Sequence, residues 1–286
     1  MCHRRSVSAR DPEVAAIPAD DAAPPLVAAD GVELDARVHS AGTPARAAVL
    51  LVHGINTDLD EGGMYARLGE RLAAAGLGVL RFSFRGHGRS GGSARGVTVA
   101  GEMLDVEAAA DAARARWPGI PLGVVASSMG AVPVLESASF LRPDLLVLWN
   151  PVLDLRRTFL EPELPWGLDN FTPEAWAAAG RDGFLLLDGE FEMGRVLLAE
   201  LKRYQPLEAL AALATTPVLV IHGEKDTYVS FEVSRDASSR LGLNFHVVPG
   251  ADHGFDTRYR EDEAIAVTTK WLIDRVGAWW GRADTC

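Results

Sequence analysis

The chain has 286 residues, 48% hydrophobic and 23% charged, which suits one large α/β domain with an insertion or two small domains. A net charge of −11 and a pI near 5.1 argue against nucleic acid or an anionic membrane as the main partner. The two cysteines, Cys2 and Cys286, stand at the extreme ends, so neither a disulfide framework nor a cysteine metal site is expected, and a reducing cytoplasm fits.

Residues 1–28 read as a disordered tail. Met1-Cys2-His3-Arg4-Arg5 starts basic, but no apolar core of a signal peptide follows, and Asp11 to Pro25 is rich in Ala, Asp and Pro. No apolar run reaches about 18 residues, so no membrane span is expected. Val32 to His39 alternates apolar and polar residues, the mark of an antiparallel or edge strand with one wet face. Ala47 to Val52 is continuously apolar, a fully buried strand running into His53-Gly54-Ile55-Asn56. Tyr65 to Ala75 has helical spacing. Leu77 to Phe84 is a second buried strand, ending at Arg85-Gly86-His87-Gly88. Glu102 to Trp117 is an amphipathic helix with Met103, Val106, Ala109, Ala110 and Ala113 on one side. Leu122 begins the next buried strand and Leu145 to Trp149 forms another. After Asp154 the rhythm breaks. Residues 155–212 hold Trp166, Phe171, Trp176, Phe184, Phe191 and Met193 among prolines and acids, with no clear buried strand, and read as a cap of helices and loops. Its aromatics either line a pocket or form the cap's own core. Val218 to Ile221 and Asn244 to Val248 resume the strands, and a long amphipathic helix from about Asp262 to Trp280 follows. Buried strands alternating with helices predict a mostly parallel sheet with helices on both faces, a core of 29–154 and 213–286, and a cap at 155–212. Sites in such sheets lie beyond the carboxyl ends of the strands.

Ser128 sits at the centre of this pattern. The run Leu122 to Ser127, then Met129-Gly130-Ala131-Val132, is a strand, a sharp turn and a helix start. The turn accepts only small side chains two residues either side of its apex. Ala126 and Gly130 meet that condition for Ser128, whereas Ser127 would have Val125 and Met129 there. Gly88-Arg89-Ser90-Gly91-Gly92 matches G-x-S-x-G literally, but no helix follows directly, so Ser90 is set aside as nucleophile.

A serine hydroxyl needs a base, and the base needs a group that holds its tautomer. With an elbow of this kind the order along the chain is nucleophile, acid, histidine. Of the histidines after Ser128, His222 ends a strand, His246 lies inside one, and His253 lies in the loop after the last strand, where a ring can hang over the elbow. Asp226 is the favoured acid and Glu224 the runner-up. Asp252 more simply shapes the histidine loop. The Ile55 and Met129 amides are the candidate oxyanion donors. His53 reads as structural. Asn56, Arg85, Trp166 and Trp176 are candidate substrate contacts, and no cluster suggests a metal.

These residues resemble the α/β-hydrolase superfamily, in its branch of cinnamoyl and feruloyl esterases, monoglyceride-lipase-like enzymes and serine-aminopeptidase-like hydrolases. The resemblance rests on Val52-His53-Gly54, Arg85 to Ser90, Thr98-Val99 with Glu102 and Asp105, the Ser128 elbow, Ile221 to Asp226, and Gly250-Ala251-Asp252-His253. It implies an α/β-hydrolase fold with an inserted cap, and a serine esterase or thioesterase without metal or organic cofactor. The substrate would be a small-molecule acyl ester or thioester, free or carrier-bound. An acyltransferase or an acyloxy-eliminating lyase could use the same triad. Ala126 in place of glycine, Ser83 where relatives often carry Asp, and the cap depart from the family pattern.

Overall fold

The structure, a computed structural model, describes residues 21–22, 26–41, 44–213 and 215–283. In chain order the strands are β1 (Asp21–Ala22), β2 (Leu26–Val27), β3 (Glu33–Leu34), β4 (Ala36–His39), β5 (Ala48–Val52), β6 (Gly78–Phe82), β7 (Leu122–Ser127), β8 (Leu145–Trp149), β9 (Phe184–Leu187), β10 (Phe191–Gly194), β11 (Val218–Gly223) and β12 (Asn244–Val248). The α-helices are α1 (Met64–Ala74), α2 (Val99–Arg116), α3 (Ala131–Glu136), α4 (Ala138–Leu141), α5 (Pro165–Asn170), α6 (Pro173–Asp182), α7 (Arg195–Glu200), α8 (Pro206–Ala212), α9 (Phe231–Leu241) and α10 (Arg258–Ala283).

Eight strands form the central sheet in the order β1-β4-β6-β5-β7-β8-β11-β12. From β6 to β12 every neighbouring pair is parallel, and β1 and β4 form an antiparallel edge. The apolar strands earn their composition by being covered twice. Successive residues of a strand face opposite sides. Ala48, Leu50 and Val52 of β5 join Val106, Ala110 and Ala113 of α2 in one core. Val49 and Leu51 join Tyr65, Leu68 and Leu72 of α1 and Leu272 and Val276 of α10 in the other. Both positions must be apolar, so no alternation survives.

The carboxyl ends of β5, β7, β8 and β11 lie side by side, with Val52 opposite Ala126, Ser127 opposite Trp149, and Trp149 opposite Ile221. Their loops, and the loop after β12, therefore meet along one edge.

Two expectations are corrected. The tail expected over 1–28 lies mostly outside the described residues, but Leu26 and Ala28 are buried in the core and β1 pairs with β4, so these residues belong to the fold. The segment 155–212 contains a strand pair: β9 and β10 form an antiparallel hairpin. Its turn is made by Asp188 and Gly189, both at positive φ. Leu185, Leu187, Phe191 and Met193 of the hairpin are buried with Phe159 and Phe171 in a third core, beside Met129 and Val132. Phe171, Phe191 and Met193 thus build that core.

Candidate active site

Ser128 follows β7 directly and holds φ of 50°, a left-handed conformation that a non-glycine side chain adopts only under constraint. The constraint is packing at the elbow. A Cβ added to Gly130 would lie 2.1 Å from the His53 carbonyl oxygen, so that position admits only glycine. Ala126 is fully buried between β5 and β8. The two small residues let the loop after β5 press against the elbow.

His253 reaches Ser128 from the loop after β12. Ser128 Oγ lies 2.8 Å from His253 Nε2, and His253 Nδ1 lies 2.8 Å from Asp226 Oδ2. With Nδ1 donating to the carboxylate, Nε2 is left to accept the serine proton. Asp226 Oδ1 accepts the Tyr228 and Val229 amides, each at 2.8 Å. Its Oδ2 also faces His222 Nε2 at 3.1 Å, with both side chains fully buried. Burial alone would raise the Asp226 pKa, but the His253 charge and the bonds from His222 and His253 hold it well below the ordinary carboxylate value. Burial opposes charge on His253, yet Asp226 first, then Glu61 and Asp252, raise its pKa above the ordinary 6.5.

The supporting loops are fixed by buried polar groups. Asn150, just past β8 at φ 43°, donates from Nδ2 to the His253 carbonyl and accepts the Gly223 amide, each at 2.8 Å. It joins the histidine loop to the acid loop. Thr227 donates its amide and hydroxyl to Asp252, so Asp252 shapes the same junction. Glu224 turns outward and accepts the Gly250 amide. His246 bonds Glu263 at 2.9 Å. His53 is buried. The Phe84 amide donates to its Nε2 at 2.9 Å, so Nδ1 carries the proton and donates to the Gly54 carbonyl at 2.6 Å. Burial, then the neighbouring His87, lower its pKa to about 3, which keeps it a neutral strut for the loop holding Ile55.

Ile55 and Asn56 follow that strut, Asn56 half-buried at φ 57°. Met129 is the first residue past the serine and is buried. Among the described residues the Ile55 amide donates no hydrogen bond to another backbone group of the turns and loops. Arg85 is corrected: it does not turn to the site. Its guanidinium is bound by Asp105, 2.8 Å away and fully buried, and by Asp30 at 2.6 Å. Two carboxylates occupy the guanidinium. Trp166 is near the site through a stack. Tyr228 lies flat on the His253 ring, centroids 4.8 Å apart, and Trp166 lies flat on Tyr228 at 5.0 Å. Trp176 instead lines a cavity of about 710 Å³ with Leu153, Leu155, Leu201 and Tyr204, whose wall includes none of Ser128, Asp226 or His253. Ser90 donates to the Ser83 carbonyl and accepts the Asp35 amide, which occupies it structurally.

Sequence reasoning missed Asn150, Tyr228 and Glu61. Glu61 accepts the Gly54 amide and the Ser127 hydroxyl, each at 2.9 Å. No motif marks a glutamate in an acidic, glycine-rich loop. The Asn150 signal was present, as a strand end carrying a residue that tolerates positive φ.

The family model described as serine aminopeptidase, S33, matches residues 43–183. A monoacylglycerol lipase of Mycolicibacterium smegmatis is 25% identical over 270 residues, covering 86% of this chain and 95% of that protein. Est1E from Butyrivibrio proteoclasticus, with bound ferulic acid, superposes with a TM-score of 0.75 at 20% identity, covering 89% of this chain and 100% of that one. The Pyrococcus furiosus esterase Pf2001 gives a TM-score of 0.65 at 23% identity, covering 94% and 95%. With this strand order and an elbow serine at its centre, the chain has the α/β-hydrolase fold, and its sequence is similar to esterase- and lipase-like serine hydrolases.

Proposed function

We propose that the protein cleaves a carboxylic ester or thioester through an acyl-enzyme on Ser128. The observation that carries this reading is His253 bridging Ser128 Oγ and Asp226 Oδ2 at 2.8 Å on each side. In this mechanism Ser128 Oγ attacks the acyl carbonyl while His253 Nε2 takes its proton. The negative charge forming on the carbonyl oxygen is met by the Ile55 and Met129 amides. His253 then returns the proton to the leaving alcohol or thiol. A water activated by the same nitrogen attacks the acyl-enzyme, releases the acid and restores Ser128. Asp226 stays ionised throughout and holds His253 in the Nδ1–H tautomer. No cofactor enters this cycle.

Substrate would be a small acyl ester or thioester, free or on a carrier. The relatives named for monoacylglycerol lipase and for bound ferulic acid support an ester with an extended acyl or aryl part. Residues 155–212 would act as a cap, with Trp166 and Tyr228 walling one side of the acyl site and Asn56 near the oxyanion end. Among the described residues no helix is long and apolar enough to cross a membrane; a cytoplasmic location rests on the cysteine pattern alone. A panel of p-nitrophenyl esters and acyl thioesters, run with wild type and Ser128→Ala, tests the reading. Free acid is expected as product from wild type only. Acyl transfer to an added alcohol, or an unsaturated product, would instead point to the transferase or elimination chemistry of the same triad.

A further inference from the structure

Glu61 is a carboxylate that the proposed cycle leaves unused. It lies in a turn of left-handed backbone, with φ of 46° at Glu61 itself, 62° at Gly62 and 89° at Gly63. Glutamate gains nothing from that conformation, and strain of this kind is kept where the surroundings demand it. Here it turns the side chain inward. Oε2 accepts the Gly54 amide at 2.9 Å and Oε1 accepts the Ser127 hydroxyl at 2.9 Å. Gly54 immediately precedes Ile55, and Ser127 stands two residues before Met129. The two candidate oxyanion amides thus belong to two loops that one carboxylate clips together. The clip is close to the nucleophile. A Cβ built on Gly54 would lie 3.1 Å from Ser128 Cβ and 3.6 Å from Glu61 Oε1.

We propose that Glu61 is a positioning residue for the oxyanion hole, its carboxylate fixing the separation of the Ile55 and Met129 amides by holding Gly54 and Ser127 at once. The inference rests on the serine-hydrolase reading above. It also explains why a serine precedes the nucleophile: the Ser127 hydroxyl is the elbow's half of the clip. Burial raises the Glu61 pKa, opposed by the Gly54 amide, the Ser127 hydroxyl and His253, and once ionised the carboxylate has a second effect. Asp226, Glu61 and Asp252 are the acidic groups that favour the charged form of His253. Around Glu61 stand Asp58, the Tyr65 hydroxyl, Ser127, the Gly54 amide and His253.

Glu61→Gln and Glu61→Ala separate these roles. A glutamine oxygen still accepts the Gly54 amide, and its NH₂ can donate to Ser127 Oγ, so the clip survives without charge. Alanine loses both bonds. With p-nitrophenyl butyrate as the probe, Glu61→Ala is expected to lose about tenfold or more in kcat, toward the 10²–10³ of an absent oxyanion donor, with KM within about twofold. Glu61→Gln is expected to recover most of that kcat, with its acidic limb moved to lower pH because one charge favouring protonated His253 is gone. Ser127→Ala, which removes one of the two bonds, should fall between wild type and Glu61→Ala. Wild-type kcat in Glu61→Ala, or an equal loss in the Gln and Ala variants, overturns the proposal. Should Glu61→Ala fail to fold, an unshifted limb in Glu61→Gln together with full activity in Ser127→Ala overturns it equally. Fluorophosphonate labelling separates the two levels. A wild type not labelled at Ser128 overturns the hydrolase reading and this inference with it, whereas a labelled wild type with an unimpaired Glu61→Ala overturns the clip alone.

Discussion

A serine hydroxyl is a weak nucleophile until a neutral base stands against it, and in the proposed cycle the two bonds of His253, to Ser128 and to Asp226, set the terms on which that happens. Ser128→Ala removes the attacking oxygen and leaves the strained elbow otherwise intact. Turnover is expected to fall by about 10⁴ to 10⁶ with the melting temperature nearly unchanged. Full activity in that variant would end the assignment. The pH dependence follows from the direction of the His253 shift. Asp226, Glu61 and Asp252 outweigh burial and raise its pKa above 6.5, and only the neutral ring accepts the serine proton. The rate is therefore full above the raised value and lost as pH falls through it. The acidic limb of kcat/KM, which reports the free enzyme, should lie above 6.5. A limb at or below that value would mean that burial of His253 outweighs the three acidic groups.

At the scale of elements, the site is an agreement among loops that leave different strands. Asn150 follows β8 directly and ties Gly223, the last residue of β11, to the His253 carbonyl. Its short amide supplies a donor and an acceptor together and tolerates positive φ. Asn150→Asp keeps the acceptor and loses the donor to His253. The histidine loop is then released, and kcat should drop by about tenfold or more, as small misplacements of a catalytic group do. Asn150→Ala should in addition lose stability, about 1–3 kcal/mol for an unsatisfied buried Gly223 amide, read by denaturant unfolding. Equal kcat in wild type and both variants would mean that the two loops hold themselves. Gly223 has its own reason to be glycine, because a Cβ there would lie 2.6 Å from the Ala251 carbonyl oxygen where the loops cross.

At the scale of the whole molecule, Arg85 links the N-terminal segment, the loop after β6 and helix α2 by holding Asp30 and Asp105. Arg85→Ala strands the fully buried Asp105, and a broken buried pair costs about 3–5 kcal/mol. Burial already raises the Asp105 pKa. Without Arg85 the aspartate folds most easily when protonated, so the deficit of the variant should shrink as pH falls. A deficit independent of pH would show that lost packing, not the stranded charge, is the cause. What the sequence disclosed follows the same physics. Buried strands such as Leu145 to Trp149 were legible because a doubly covered strand must be apolar throughout. Ser128 and His253 were legible because an elbow tolerates few side chains and a histidine loop has one place to hang. The β9–β10 hairpin was marked by Asp188-Gly189 but masked by the surrounding aromatics. Arg85 was misjudged and Glu61 missed for one reason: which carboxylate meets which partner is decided by residues up to 66 positions apart, as with Ser127 and Glu61. Local spacing carries no record of such pairs.

The most direct measurement is intact-protein mass spectrometry after incubation with a fluorophosphonate, on wild type and on Ser128→Ala, with the adduct mapped by peptide. An activated serine predicts one adduct on wild type, at Ser128, and none on the variant. Labelling at Ser90 or Ser127, or equal labelling of the variant, would contradict the account.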